Sequence, residues 1–147
     1  MRIALVAVGK VKERGVREAI DDYLARVKRY AAVAETELRD GDADEVAARF
    51  RKAIPERAKV VALEVSGQAW SSERLARFVG ECERDGAVQT LAFLVGGSYG
   101  LPPDVSRGAH VRLSLSAMTL PHRLARLVLA EQVYRAFTIL RGEPYSH

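Results

Sequence analysis

Ile3 to Val8 reads Ile-Ala-Leu-Val-Ala-Val, without one polar residue, and stops at Gly9. A strand wetted on one face alternates apolar with polar positions, whereas a strand covered on both faces has no position to spare for a polar side chain. The run therefore predicts an internal strand of a largely parallel sheet. Leu91 to Val95 repeats the pattern and stops at Gly96. Between such runs the apolar spacing changes to three and four residues. Val16, Ile20, Tyr23, Leu24 and Val27 share one side of a helix while Arg17, Asp21, Asp22, Arg26 and Lys28 take the other.

The rest of the chain keeps this rhythm. Ala31 to Leu38 reads as a short strand, and Asp42 or Asp44 caps a helix through Val46, Ala47 and Phe50, with Pro55 just beyond its end. Lys59 to Val65 is the next strand. Ser71-Ser72 caps a helix carrying Leu75, Phe78 and Val79, Asp85-Gly86 closes it, and Val88 to Val95 follows as a strand. Gly96 to Arg107, with Pro102-Pro103, reads as loop, His110 to Ser116 alternates like a strand, and Pro121 fits N1 of a helix running to about Leu140. Strands alternating with helices in units of about 30 residues predict an α/β fold, an open and mostly parallel sheet with helices on both faces. No linker, repeat or low-complexity stretch interrupts it, so residues 1–147 are expected to form a single domain, the usual size for one core.

Several function classes are excluded at this level. The apolar runs fall far short of the roughly 20 residues of a membrane span. Met1 leads directly into the first strand without the features of a targeting segment, which predicts a cytoplasmic protein. Cys82 is the one cysteine, and the three histidines at 110, 122 and 147 are scattered, so neither a disulfide nor a metal site is expected. The formal charge of +4 is uneven: residues 1–90 carry 17 basic and 16 acidic side chains, residues 91–147 carry 6 and 3. A polyanionic partner is compatible with that basic end.

The helix after Pro121 carries Leu124, Leu127, Val128, Leu129, Val133, Tyr134, Phe137, Ile139 and Leu140 around most of its circumference. That is more apolar surface than one sheet covers, so the helix is either central to the monomer or packed against a second copy; in so small a protein the second is favoured, which predicts a homodimer with Val128, Val133 and Phe137 in the interface. Chemistry points elsewhere. Gly96-Gly97-Ser98-Tyr99-Gly100 follows a buried strand at its carboxyl end, where open α/β sheets bind ligands. It matches neither Gly-x-Gly-x-x-Gly nor a P-loop, so a phosphate cradle is disfavoured. A second strand-end loop, Leu115-Ser116-Ala117-Met118-Thr119-Leu120-Pro121-His122, leads into the last helix. His122 reads first as a helix-end group, and Ser116 and Thr119 as groups satisfying local backbone.

Taken together, Gly-Gly-x-x-Gly-Leu, Leu-Ser-x-Met-Thr-Leu-Pro-His, Arg-Leu-Val-Leu-Ala-Glu-Gln-Val-Tyr-Arg-Ala-Phe-x-Ile and the short Pro-Tyr tail resemble the RlmH family. Arg2 to Lys10 and Leu63 to Trp70 fit the same pattern, so the likeness spans the chain. These are bacterial SPOUT-class methyltransferases, which methylate N3 of a pseudouridine in 23S ribosomal RNA with S-adenosylmethionine. The resemblance implies a C-terminal trefoil knot, which threads chain through a loop against the general rule for protein topology, and a homodimer with the last helix in its interface. It implies cofactor contacts at Leu63 and Gly96 and at Leu115, Ser116, Ala117, Met118, Thr119 and Leu120, mostly through backbone and apolar packing. It implies catalytic roles in the tail, at Tyr145 and at His147. The family ends in a Tyr-His pair followed by a basic residue; here Ser146 stands where the family has histidine, and His147 takes the neighbouring position.

The remaining candidates have plainer roles. Cys82 reads as a small buried apolar residue and Trp70 as a packing anchor. Among Arg112, Arg123, Arg126, Arg135 and Arg141, a methyltransferase of RNA needs some to meet phosphates, with Arg123 and Arg135 as first choices. Two other readings stay open on the residues: the same knot acting on another RNA, and a catalytically silent RNA- or nucleotide-binding module.

Overall fold

A computed structural model describes residues 1–145. Five parallel strands stand in the order β2-β1-β4-β3-β5: β1 (Arg2–Val8), β2 (Ala32–Leu38), β3 (Ala58–Ala69), β4 (Thr90–Val95) and β5 (Val111–Ser114). The two all-apolar runs are the central pair. β1 and β4 lie side by side with Ile3 opposite Leu91 and Leu5 opposite Phe93, and every residue of β4 is buried.

The helices are α1 (Arg14–Val27), α2 (Ala43–Ala53), α3 (Ser72–Arg84), α4 (Pro103–Arg107) and α5 (His122–Arg141). Crossovers that step toward the β2 edge carry α1 and α3; those that step toward the β5 edge carry α2 and α4. With one handedness for all parallel crossovers, opposite directions of travel put helices on opposite faces. Two cores result. Ile3, Leu5, Leu91 and Phe93 pack with α1, α3 and α5, while Val6, Val8, Leu94 and Phe50 pack with α2 and α4. Alternate residues of the same strand serve each core, which is why Ile3 to Val8 and Leu91 to Val95 carry no polar side chain.

Local signals hold where the chemistry is specific. Asp42 caps α2 in a reciprocal capping box with Glu45, and the Ser71 hydroxyl accepts from the Arg74 N–H to cap α3. Boundaries differ by a few residues in several places, β3 running on to Ala69 and β4 starting at Thr90. The stretch read as loop from Gly96 to Arg107 contains α4, a single turn behind Pro102-Pro103 that the two prolines and flanking glycines disguise. Pro121 sits at the N-cap of α5, one position before N1. His110 precedes β5 and extends its pairing, since its Nδ1 accepts from the Val60 N–H at 2.9 Å.

The last helix corrects the expectation drawn from its circumference. α5 lies between α1 and α3 against the sheet, and this chain alone encloses most of it. Val133 and Phe137 are fully buried inside their own core, so neither can touch a second copy. Leu124, Val128 and Ile139 remain on the exposed side. Cys82 is buried as expected, and burial pushes its thiol up to about 11, which leaves it un-ionised near neutral pH. Trp70 packs on Phe78 with ring centroids 5.2 Å apart.

Candidate active site

A bulge in β3 and the loops after β4 and β5 converge on a cavity of about 810 Å³. The first wall comes from β3, which leaves the ladder beside β5: Leu63 and Gln68 both stand opposite Leu113, so Glu64 to Gly67 bulge outward and Glu64, Val65 and Ser66 face the cavity. Gly67 permits the return, because a Cβ there would fall 2.7 Å from the Arg112 carbonyl. The second wall is the loop after β4, with Gly96, Gly97, Ser98 and Gly100. The third is the loop after β5, with Leu115, Ser116, Met118, Thr119 and Leu120, continuing into Pro121, His122, Arg123 and Ala125.

Leu63, Gly96, Leu115, Ser116, Met118, Thr119 and Leu120, expected together from the resemblance, therefore share one cavity; Ala117 lies in the same loop but outside its wall. The Ser116 hydroxyl accepts from the Met118 N–H at 2.9 Å, and the Ser114 hydroxyl donates to the Ser116 carbonyl, so Ser116 braces its own loop. Gly96 is needed for a reason the sequence does not reveal. A Cβ there would lie 2.4 Å from the Gly100 carbonyl carbon and 2.6 Å from the Leu101 nitrogen, so bare backbone at 96 lets the loop fold onto itself.

Sequence reasoning passed over Glu64, Ser66 and, as a site residue, His122. Lys59 to Val65 reads as unbroken strand, and the only clue to the bulge is Gly67. α5 begins at this wall without a side-chain cap, so its first backbone N–H groups and its positive dipole end are directed at the cavity rim.

The arginines sort differently from expectation. Arg126 is buried: its guanidinium donates to the Gly9 carbonyl at 3.1 Å, to Glu35 at 2.7 Å and to Glu37 at 2.6 Å. Arg17 reaches the same two carboxylates, at 2.6 Å and 3.4 Å. Arg126 is thus a strut fastening α5 to the ends of β1 and β2, and meets no phosphate. Arg123 lies in the cavity wall and pairs with Glu13 at 3.1 Å. Arg135 pairs with Glu131 at 2.7 Å and lies over the Tyr145 ring. Arg141 pairs with Glu83, and Arg112 donates to the Ser106 carbonyl.

Tyr145 is not in the wall of this cavity. Its hydroxyl donates to Glu131 at 3.0 Å and its ring meets Tyr134 edge-on at 4.7 Å, farther along α5. Glu131 is nine residues beyond His122, about 14 Å at the helical rise. Burial, with hydrogen bonds to Tyr23 and Glu131, pushes the phenol well above its usual range, so it stays protonated near neutral pH. His147 lies outside the described residues.

Comparison with known proteins accords with this layout. Residues 1–147 match the family described as Predicted SPOUT methyltransferase. A ribosomal RNA large subunit methyltransferase H from Sorangium cellulosum (strain So ce56) is 51% identical over the whole of both chains. Proteins of the same name from Geotalea daltonii and Carboxydothermus hydrogenoformans are 41% and 42% identical, covering at least 99% of both chains in each pair. Among solved structures, a probable methylase family protein from Haemophilus influenzae Rd KW20 aligns with a TM-score of 0.55 at 11% identity, covering 95% of this chain and 66% of the other. A second, from work on 2-OH methylation of C/U34 on tRNA, aligns at 0.53 and 16% identity, covering 97% and 98%. At that identity the two structures speak for the fold alone. By family match and by relatives related over their full length, the chain belongs to the SPOUT methyltransferases, in the RlmH family.

Proposed function

We propose that this chain is an S-adenosylmethionine-dependent methyltransferase that modifies N3 of a pseudouridine in 23S ribosomal RNA of the large subunit. The observation that carries the reading is the cavity itself: the β3 bulge and two strand-end loops of a SPOUT-family chain, meeting around a volume suited to a small cofactor. The wall fits the group. Leu63, Val65, Met118 and Leu120 offer apolar packing, Gly96 and Gly97 expose backbone, and Glu64 offers negative charge to a cationic cofactor; nothing resembles a phosphate cradle. S-adenosylmethionine supplies the activated methyl group. The chain supplies alignment and proton handling. In this reading Leu63, Gly96 and Leu115 to Leu120 hold the cofactor, Ala117 through its place in the loop. Protonated Tyr145 orients the base by hydrogen bonding, and the imidazole of His147 takes the N3 proton. Mass spectrometry of ribosomal RNA from cells with and without the protein tests the assignment: one pseudouridine loses a methyl group in its absence, and an unchanged spectrum refutes it.

Gly96→Val is expected to weaken S-adenosylmethionine binding by at least about tenfold, roughly 1.4 kcal/mol, because the side chain forces the loop open. Titration calorimetry on a variant with wild-type circular dichroism checks it, and unchanged affinity overturns the role of the loop.

The same reading includes one domain over residues 1–147, a C-terminal trefoil knot, a cytoplasmic location and a homodimer. Support for the dimer comes from the exposed side of α5, where Leu124 and Val128 stay in water, and from the distance between Tyr145 and the cavity of its own chain. In this reading the tail, Tyr145 to His147, serves the cavity of the partner. Val128→Asp is expected to give monomers in sedimentation at micromolar concentration, with methylation lost in parallel; an intact dimer refutes this interface.

A further inference from the structure

The loop after β4 has two sides. One faces the large cavity. The other, through Gly97 to Leu101, closes a smaller one of about 380 Å³ whose opposite wall includes Val8, Asp40, Asp42 and Val46. Tyr99, 99% exposed, borders the smaller cavity, and its neighbours Ser98 and Gly100 line both. The turn is braced. The Gly100 N–H donates to the Gly97 carbonyl at 3.0 Å, Gly100 takes a φ of +79° that glycine adopts freely, and Gly96 packs bare against Gly100 and Leu101. Among the described residues, no hydrogen bond or ring contact engages Tyr99, so the side chain does nothing for the fold. Two wall residues of the large cavity are exposed as well: Val65 on the β3 bulge is 51% exposed and Met118 on the loop after β5 is 78% exposed. Each loop framing the site thus presents one uncovered apolar side chain.

We propose that Tyr99 is a stacking platform for an unpaired base of the RNA substrate, next to the nucleotide that enters the cavity. The proposal rests on the ribosomal RNA reading above and extends it to a substrate-binding residue. A base fits this place better than a phosphate does. The charged groups on the adjoining small-cavity wall are Asp40 and Asp42, which repel the backbone, whereas stacking needs only a π-face and tolerates any base.

The test is steady-state methylation of large ribosomal subunits purified from cells lacking this protein. Tyr99→Ala is expected to raise the KM for subunits about tenfold, within the range for losing one base–aromatic stack. The loss falls in KM and not in kcat, S-adenosylmethionine affinity stays as in wild type, and Tyr99→Phe and Tyr99→Trp restore the KM. An unchanged KM in Tyr99→Ala overturns the proposal. So does a Tyr99→Phe variant as poor as alanine, which would assign the effect to the hydroxyl, or a Tyr99→Ala protein that sediments as monomer, which would assign the ring to a second copy of the chain. A wild-type protein that transfers no methyl group to these subunits would refute the ribosomal RNA reading itself and this proposal with it.

Discussion

Replacing Arg126 by alanine is expected to lower the unfolding free energy by roughly 3 kcal/mol, the low end of the cost of orphaning a buried charge. Arg126 is 4% exposed, and its guanidinium is shared among Glu35, Glu37 and the Gly9 carbonyl. The substitution leaves two half-buried carboxylates with only Arg17 to answer them. Against a total stability of about 5–15 kcal/mol for a domain, that is a large fraction. Adding Glu35→Gln and Glu37→Gln should recover part of the loss, because the penalty lies in the unpaired charge more than in the missing contact. Urea unfolding of the single and triple variants checks both statements. A loss below about 1 kcal/mol would show that water reaches the network and screens it.

Deleting Tyr145 to His147 is expected to slow methylation about 100-fold, a usual cost for misplacing a reacting group, while S-adenosylmethionine affinity changes little. The cofactor-side wall is built from the β3 bulge, the loops after β4 and β5 and the start of α5, and Tyr145 takes no part in it. Loss confined to turnover therefore separates the tail from cofactor binding. His147→Ala should be slower than wild type, and restoring histidine at 146 in that background should return part of the rate. Single-turnover methylation with calorimetry in parallel decides the matter; a tail-deleted enzyme of normal rate would leave alignment to the loops alone.

What the sequence discloses depends on how local the physics is. The unbroken apolar runs identify β1 and β4 as internal strands, and Asp42 and Ser71 announce helix starts, because each signal is settled within a few residues. The loops at Gly96 and Leu115 are recognisable as strand ends facing a ligand, and the family resemblance joins them into one site. Features made by distant chain segments stay hidden. Val133 and Phe137 look like interface residues until α1 and α3 are known to flank α5. Arg126 looks like a phosphate contact until β2 brings Glu35 and Glu37 beneath it. The β3 bulge is concealed because Leu63, Val65 and Gly67 would suit a regular strand as well as an excursion.

The position of α5 also governs when the chain can fold. It is the last helix made, yet Leu129, Ala130, Val133 and Phe137 fill the space between α1 and α3. A nascent chain lacking it displays the apolar faces of both earlier helices with nothing to cover them. The core on the α2 side is built from residues before 110, whereas the other stays incomplete until α5 has been made. A ribosome-tethered chain truncated at Ser114 should accordingly be protease-sensitive and recruit holdase chaperones, and completion of the final helix should end both together.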